Sequence, residues 1–384
     1  MERETACVHG TWLYDKTTGA VSVPLYQSAT FRHPGLGEST GFDYSRAVNP
    51  TRTVLEETVA LLEGAKYGLA FASGMGAVSA MIKLFPPHGS AGGGKTRVIV
   101  SEDLYGGTYR LFHEYYARYG YSFSWIDTSD PAKVEAALKQ EAAALFIETP
   151  SNPMMKVTDI AGCAEAIHRA GGKLIVDNTF LTPYFQNPLA LGADFVIHSG
   201  TKYLAGHNDT LAGFIVHSGE EANPALREIQ KSEGASLSPL DAWLCLRGIK
   251  TLALRMEKQQ QNGGIAADWL RNHPRVERVF YTGFKDHPQA PLSARQARGH
   301  SGMVSFYVRQ SALVEQVLKR VKLILFAESL GGVESLITFP LVQTHGAIPE
   351  TMRLSAGVND RLLRLSAGIE NAADIIADLE QALE

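Results

Sequence analysis

Apolar positions in this chain gather into short runs, and helical patterns separate them. From Tyr121 onward the runs YSFSWID, AALFIE, KLIVD, FVIHS and LAGFIVH alternate with stretches such as PAKVEAALKQ and DIAGCAEAIHRAGG. Alternation of that kind predicts an α/β fold: a wound, mainly parallel sheet with helices on both faces. Upstream, YGLAFASGMGAVSAM reads as a buried strand, a tight glycine turn and the start of a small-residue helix. Helical spacing begins near Thr53, with Leu55, Val59 and Leu62 on one face and Gly64 as a stop. LYGGTYRLFHEYYARYG predicts another glycine turn, leading into an amphipathic helix. A long helical stretch, roughly Ser238 to Asn272, leads out to a smaller α/β unit with strands VERVFYTG, GMVSFYV and KLILFA, the helix ALVEQVLKRV, and a closing polar helix after Glu370. The first fifty or so residues lack either period and read as an irregular arm. The expected division is therefore an arm over 1–52, a large domain over 53–245 and a small domain over 246–384.

Strand ends in such a sheet face the ligand crevice. Asp177 closes the run KLIVD, and Lys202 stands just past the end of FVIHS. A lysine and a carboxylate at neighbouring strand ends suit pyridoxal phosphate: the amine forms the Schiff base, and the carboxylate keeps the ring nitrogen protonated. Ser199 and Thr201 are hydroxyl donors suited to a phosphate, and the turn around Gly74 and Met75 lets backbone amides approach an anion at a helix start. A lone lysine is ordinarily a solvated surface group, and an aspartate after a strand is ordinarily a turn residue. The two acquire meaning only together. ETPSNP brings Glu148 and Asn152 to the same edge, and Tyr105 in LYGGTYR is placed to stack on a planar ring, although aromatic residues more often serve the core. Arg364 alternates with apolar neighbours in RLLRLS; it suits bidentate grip of an α-carboxylate, and a surface arginine on an edge strand fits the pattern equally. The same glycine turn also resembles a dinucleotide fingerprint, with Gly74 and Gly76 correctly spaced, Ser79 in place of the third glycine, and Glu102 after the next strand. An NAD-dependent dehydrogenase is thus a competing reading, in which Lys202 and Asp177 have no role.

Charge and cysteine content narrow the picture further. Thirty-six basic and forty acidic residues nearly balance, with no basic block of the kind that tracks nucleic acid. Cys7, Cys163 and Cys245 are too scattered for a metal or redox pair and read as reduced, buried thiols of a cytoplasmic protein. No apolar run approaches membrane-spanning length, and the amino terminus lacks a signal pattern. PPHGSAGGGKT reads as a flexible surface loop.

DYSRAVNPTR, FASGMGA, DLYGGTYR, ETPSNP, VDNTF, HSGTKY, AESLGGVES and RLSAGIE occur in one order along the chain. As a set they resemble the Cys/Met-metabolism family of pyridoxal-phosphate enzymes, from about Gly19 almost to the carboxyl terminus. The resemblance implies the aminotransferase-like fold (fold type I), in an oligomer, usually a tetramer built as two dimers. Lys202 matches the Schiff-base lysine, Asp177 the partner of the ring nitrogen, Tyr105 the stacking tyrosine, and Gly74, Met75, Ser199 and Thr201 the phosphate cradle. Asn152 matches the residue near the ring hydroxyl. Tyr44 and Arg46 match residues that reach the cofactor phosphate of a neighbouring subunit. Arg364 and Ser329 match the grip on the substrate carboxylate. Asp43, Arg110 and Glu334 match a trio in relatives that work at the γ-carbon of homoserine-derived substrates. The pattern is similar to cystathionine γ-synthases that also use sulfide with O-acetylhomoserine, which implies γ-replacement on an O-acetyl- or O-succinylhomoserine to give cystathionine or homocysteine. Cystathionine γ- or β-lyase is the alternative. Gly200 and Ala367 depart from the family pattern by small-residue exchanges.

Overall fold

Residues 1–87 and 96–384 are described by the computed structural model, so residues 88–95 of the PPHGSAGGGKT stretch lie outside the described residues. Among the described residues the strands run β1 Tyr67–Phe71, β2 Arg97–Ser101, β3 Ser122–Ile126, β4 Ala144–Glu148, β5 Lys173–Asp177, β6 Phe195–Ser199, β7 Gly213–His217, β8 Val276–Phe280, β9 Met303–Val308, β10 Leu325–Phe326, β11 Leu336–Thr338 and β12 Leu362–Ser366. The first seven form one sheet in the order β1-β7-β6-β5-β4-β2-β3. Its pairings are parallel except those of β7, which is antiparallel to both β1 and β6. The other five form a second sheet, β10-β11-β12-β9-β8, antiparallel apart from β10 against β11.

Side-chain alternation along the first sheet divides two cores. Leu145, Ile147, Leu174, Val176, Val196, Phe214 and Val216 enter one apolar cluster, while Phe146, Ile175, Phe195, Ile197 and Ile215 enter another on the opposite face. A period of two sends successive residues to opposite faces, and burial of both faces is the reason these strands read as continuous apolar runs. The helices Pro50–Glu63 and Ile160–Arg169 cover the first face, and Gly74–Ile82 covers the second. The second sheet has its own cluster, built from Val304, Phe306, Leu363, Leu365 and the closing helix Ala372–Leu383.

Several elements differ from what their spacing predicts. The first long helix starts at Pro50, because the Asn49 side chain accepts from the amides of Thr51 and Arg52 and proline suits the first helical turn. The stretch from Ser238 to Asn272 is two helices, Pro239–Ile249 and Leu252–Asn272. They separate where the Gly248 carbonyl is taken by Thr251 Oγ1 (3.1 Å) and Arg255 Nη2 (2.8 Å). After Gly106–Arg110 the expected amphipathic helix widens into one i→i+5 turn and then tightens over Tyr116–Tyr119. Phe112, stacked on Phe123 at 4.6 Å, and Tyr116, bonded to Ser79 at 2.8 Å, hold that path in place of regular winding. KLILFA contributes only the exposed pair Leu325–Phe326 to an edge. Within the arm, Arg3–His9 is a helix, and further along Trp243 Nε1 donates to the Val23 carbonyl and Thr51 Oγ1 donates to the Pro24 carbonyl.

A buried polar knot fastens the Pro50–Glu63 helix to the strand ends. Glu63 accepts from His198 Nε2 at 2.7 Å and from Asn178 Nδ2 at 2.9 Å, all three being fully buried or nearly so. Removing the carboxylate strands two buried donors. Glu63→Ala should therefore lower stability by about 3 kcal/mol, seen as a lower urea midpoint, whereas Glu63→Gln, which keeps an acceptor, should lose less than half of that.

Candidate active site

Strands β4, β5 and β6 end side by side, and their last residues are Glu148, Asp177 and Ser199. Glu148 sits in register with Asp177. These ends, the start of the helix Gly74–Ile82 and the loop before β11 enclose a cavity of about 310 Å³. Its walls include Gly74, Met75, Tyr105, Asn152, Asp177, Ser199, Thr201, Lys202, Ser329 and Arg364.

At the helix start the Ser73 hydroxyl accepts from the Gly76 amide at 3.0 Å, leaving the first-turn amides of Gly74 and Met75 without helical acceptors. Gly213 on β7 must lack a side chain here, since a Cβ would fall 2.0 Å from the Ser73 carbonyl oxygen. The helix dipole and the Ser199 and Thr201 hydroxyls make this corner an anion cradle. Across the cavity, Asp177 Oδ1 accepts from the Thr179 amide (3.0 Å) and hydroxyl (2.5 Å), and the same hydroxyl accepts from the Ser199 amide (2.9 Å). Thr179 thus wires the carboxylate to the cradle. Burial raises the Asp177 carboxyl against the opposing pull of those bonds, and no cation pairs with it among the described residues. A partly buried carboxylate held open in this way fits a protonated ring nitrogen.

Lys202 follows β6, and its Nζ donates to Ser329 Oγ at 2.9 Å. Burial, assisted by the positive charge of Arg364, lowers this amine to about 8 against the weaker opposing effect of Glu328. Ser329 itself has φ of 117°, a strained conformation for a residue with a side chain, and its carbonyl accepts from Arg364 Nη2 at 3.1 Å. Arg364 is buried, bound through Nη1 to Asn152 Oδ1 at 2.8 Å, and among the described residues its Nε has no partner. Burial brings it down to about 10, so it stays cationic at neutral pH with a donor to spare for a carboxylate. Burial and the neighbouring Asp177 push the Glu148 carboxyl well above its ordinary range, and its Oε2 accepts the Tyr105 amide at 2.9 Å.

Of the residues singled out in the sequence, Tyr44, Arg46, Asp43 and Arg110 do not line this chain's cavity. Tyr44 is exposed, with the Arg46 guanidinium 5.6 Å from its ring centre; Arg46 donates to the Lys231 carbonyl at 2.9 Å. Asp43 accepts from Ser39 at 2.5 Å, and Arg110 is exposed at the end of its short helix. Glu334 lies in an outer cleft that shares Thr201, Leu211, Glu328 and Ser329 with the cavity, and it accepts from Asn208 Nδ2 at 2.7 Å. Sequence reasoning missed Ser73, Thr179, Glu328 and Thr344, which also line the cavity. The Asp-x-Thr spacing of VDNTF was the available signal for Thr179; Thr344 carried none.

The dinucleotide reading does not survive this geometry. Strand β1 lies at the sheet edge beside antiparallel β7, Ser79 is bonded to Tyr116, and Glu102 pairs with Lys156 at 3.6 Å. A wound sheet of fold type I with a lysine and a carboxylate, both partly buried, and an anion cradle around one cavity fits a pyridoxal-phosphate enzyme. The chain belongs to the Cys/Met metabolism PLP-dependent enzyme family, whose model matches residues 4–384. It is 46% identical over 384 residues to a cystathionine gamma-lyase of Bacillus subtilis, covering 100% of both chains. It is 48% identical over 369 residues to a cystathionine gamma-synthase of Haemophilus influenzae, covering 96% of this chain and 94% of that one. Among solved structures, a cystathionine gamma synthase from Xanthomonas oryzae in complex with cystathionine superposes with a TM-score of 0.96 at 38% identity, over 100% of this chain and 98% of that chain.

The lowered lysine has a direct consequence. Only the neutral amine condenses with an aldehyde, so in protein stripped of cofactor the uptake of pyridoxal phosphate should accelerate as pH rises through about 8. Stopped-flow absorbance should show roughly a tenfold gain between pH 7 and pH 9, then a plateau. A flat or falling profile would contradict the burial argument.

Proposed function

We propose that this protein catalyses γ-replacement on an O-acylated homoserine, acetyl or succinyl, with cysteine or sulfide as nucleophile, forming cystathionine or homocysteine on a route to methionine. The observation that supports this reading best is the continuity of two spaces. The inner cavity carries the carboxylate grip, Arg364 with Asn152, and opens at Glu328 and Ser329 into the outer cleft of Glu334 and Asp209. A homoserine chain anchored at Arg364 extends its γ-carbon past Lys202 toward that mouth, where an incoming thiol bearing an amino group meets carboxylates. Names borne by relatives support both the synthase and the lyase reading.

When bound, pyridoxal phosphate supplies an aldehyde carbon for the substrate amine and a sink for an electron pair at the α-carbon. Gly74, Met75, Ser199 and Thr201 hold its phosphate, Asp177 holds the proton on its ring nitrogen, and Tyr105 covers its face. Arg364 and Asn152 orient the α-carboxylate. Lys202 Nζ, kept easy to deprotonate by burial, takes the α-proton and returns it. In the net reaction the sulfur–Cγ bond replaces the oxygen–Cγ bond, the acyl group departs as a carboxylate, and the thiol proton is released.

Tyr44, Arg46, Asp43 and Arg110 are read as serving the cavity of a neighbouring copy in a homotetramer built as two dimers, in the cytoplasm. Residues 1–52, 53–245 and 246–384 are read as arm, cofactor domain and small domain. Among the described residues no helix is long and apolar enough to cross a membrane.

Two measurements bear on these readings. Purified enzyme given O-acetylhomoserine plus cysteine should form cystathionine at least ten times faster than cystathionine alone yields keto acid, as followed by mass spectrometry. Faster cleavage would assign the site to a lyase, with 2-oxobutyrate marking the γ side and pyruvate the β side. Arg46→Ala should weaken pyridoxal phosphate binding by about 10- to 100-fold, the worth of one charge-assisted phosphate contact, despite the distance of Arg46 from its own chain's cavity. Unchanged cofactor affinity would remove Arg46 from a shared site.

A further inference from the structure

His345 plays no part in the chemistry above and does not itself line the cavity. It is 2% exposed, in the segment between β11 and β12. Its Nε2 lies 3.0 Å from the Asn152 carbonyl oxygen and its Nδ1 lies 2.7 Å from Thr344 Oγ1. Burial, with the Arg364 charge adding to it, lowers the imidazole to about 4, so the ring is neutral at working pH. The Asn152 carbonyl can only accept, so Nε2–H donates to it and Nδ1 faces the Thr344 hydroxyl, with the Leu104 backbone as a further partner of the ring.

Two residues of the cavity wall meet at this ring. Asn152, whose carbonyl His345 holds, uses its Oδ1 to fix Arg364 Nη1 at 2.8 Å. Thr344, which His345 orients, lines the cavity, and its own carbonyl oxygen packs so closely on Gly106 that a Cβ there would lie 1.9 Å away. Gly106 is the residue next to Tyr105. One imidazole therefore spans 193 residues of sequence to join the segment between β11 and β12 to the carboxylate grip, while the Thr344 backbone beside it packs on the tyrosine turn. Other contacts of this loop are less specific: Arg353 Nη1 donates to the Leu341 carbonyl at 3.2 Å, and Met352 sulfur lies 3.8 Å from the Tyr109 hydroxyl.

We propose that His345 is a positioning residue for α-carboxylate recognition: by holding the Asn152 backbone it sets where Arg364 meets the substrate. The inference rests on Arg364 as the grip, and it is indifferent to whether synthesis or cleavage is the favoured direction. Because every amino-acid substrate carries the same α-carboxylate, the effect belongs in KM for whichever substrate the wild type turns over.

Gln and Asn separate this role from general packing. In His345→Gln the side-chain amide reaches the place of Nε2 and can still donate to the Asn152 carbonyl; in His345→Asn it reaches only the place of Nδ1. Both are small polar replacements, and thermal melting together with the cofactor's visible absorbance confirms that each variant is folded and loaded. KM should stay within about twofold of wild type in His345→Gln and rise about tenfold in His345→Asn, with kcat within about threefold in both, the magnitude expected for loss of one buried hydrogen bond acting through a binding residue. Equal KM values in the two variants would overturn the proposal. So would a fall in kcat larger than the rise in KM, which would place His345 in the chemical steps. Should neither variant turn over O-acetylhomoserine, cystathionine serves as the substrate, so failure of the proposed reaction and failure of this role remain distinct.

Discussion

Everything in the site depends on holding charge inside a sheet without neutralising it. Asp177 is partly buried and, among the described residues, hydrogen-bonds through its side chain to Thr179 alone, and Lys202 is partly buried near a second cation, Arg364. Each arrangement is costly in a medium of low polarity, and each is what a cofactor with a cationic ring and an aldehyde requires. Neighbouring parallel strands make it possible. Their ends lie side by side, close enough to share one ligand, while the two apolar faces behind them stay filled.

Glu148 shows how tightly this is balanced. It faces Asp177 across the β4–β5 ladder, and burial together with the Asp177 charge pushes its carboxyl well above the ordinary range. Its Oε2 is used to hold the Tyr105 amide. The Ser199 corner and the Asp177 carboxylate are likewise tied by one side chain, Thr179, bonded to both Asp177 and the Ser199 amide. The site is thus a connected hydrogen-bond frame, not a collection of independent residues.

Much of this was legible in the sequence, and the reasons are local. Strand ends are marked by where apolar runs stop, so Asp177, Ser199 and Lys202 could be placed before any coordinates. The wound sheet followed from the same runs. Long-range bonds leave no such mark. Nothing in FPLVQTH signals that His345 holds Asn152, nor does DLYGGTYR foretell that packing of Phe112 on Phe123 bends the following helix out of regular form. Glu334 was chosen from a motif in which Glu328 stands six residues earlier, and only the folded chain distinguishes the two: Glu328 lines the cavity, and Glu334 the cleft beyond it.

That separation of inner cavity from outer cleft has an evolutionary side. Asp177 and Ser199 end core strands, where a change of backbone would disturb two apolar layers at once. The outer cleft is built largely from surface loops and the edge of the second sheet, including the exposed residues Leu211 and Leu325. Selection can therefore redraw the parts of the cleft that it does not share with the cavity while leaving those strand ends in place. A lineage built this way can move between making and breaking a carbon–sulfur bond through a handful of loop substitutions, and overall sequence identity becomes a poor guide to which direction a given member has taken.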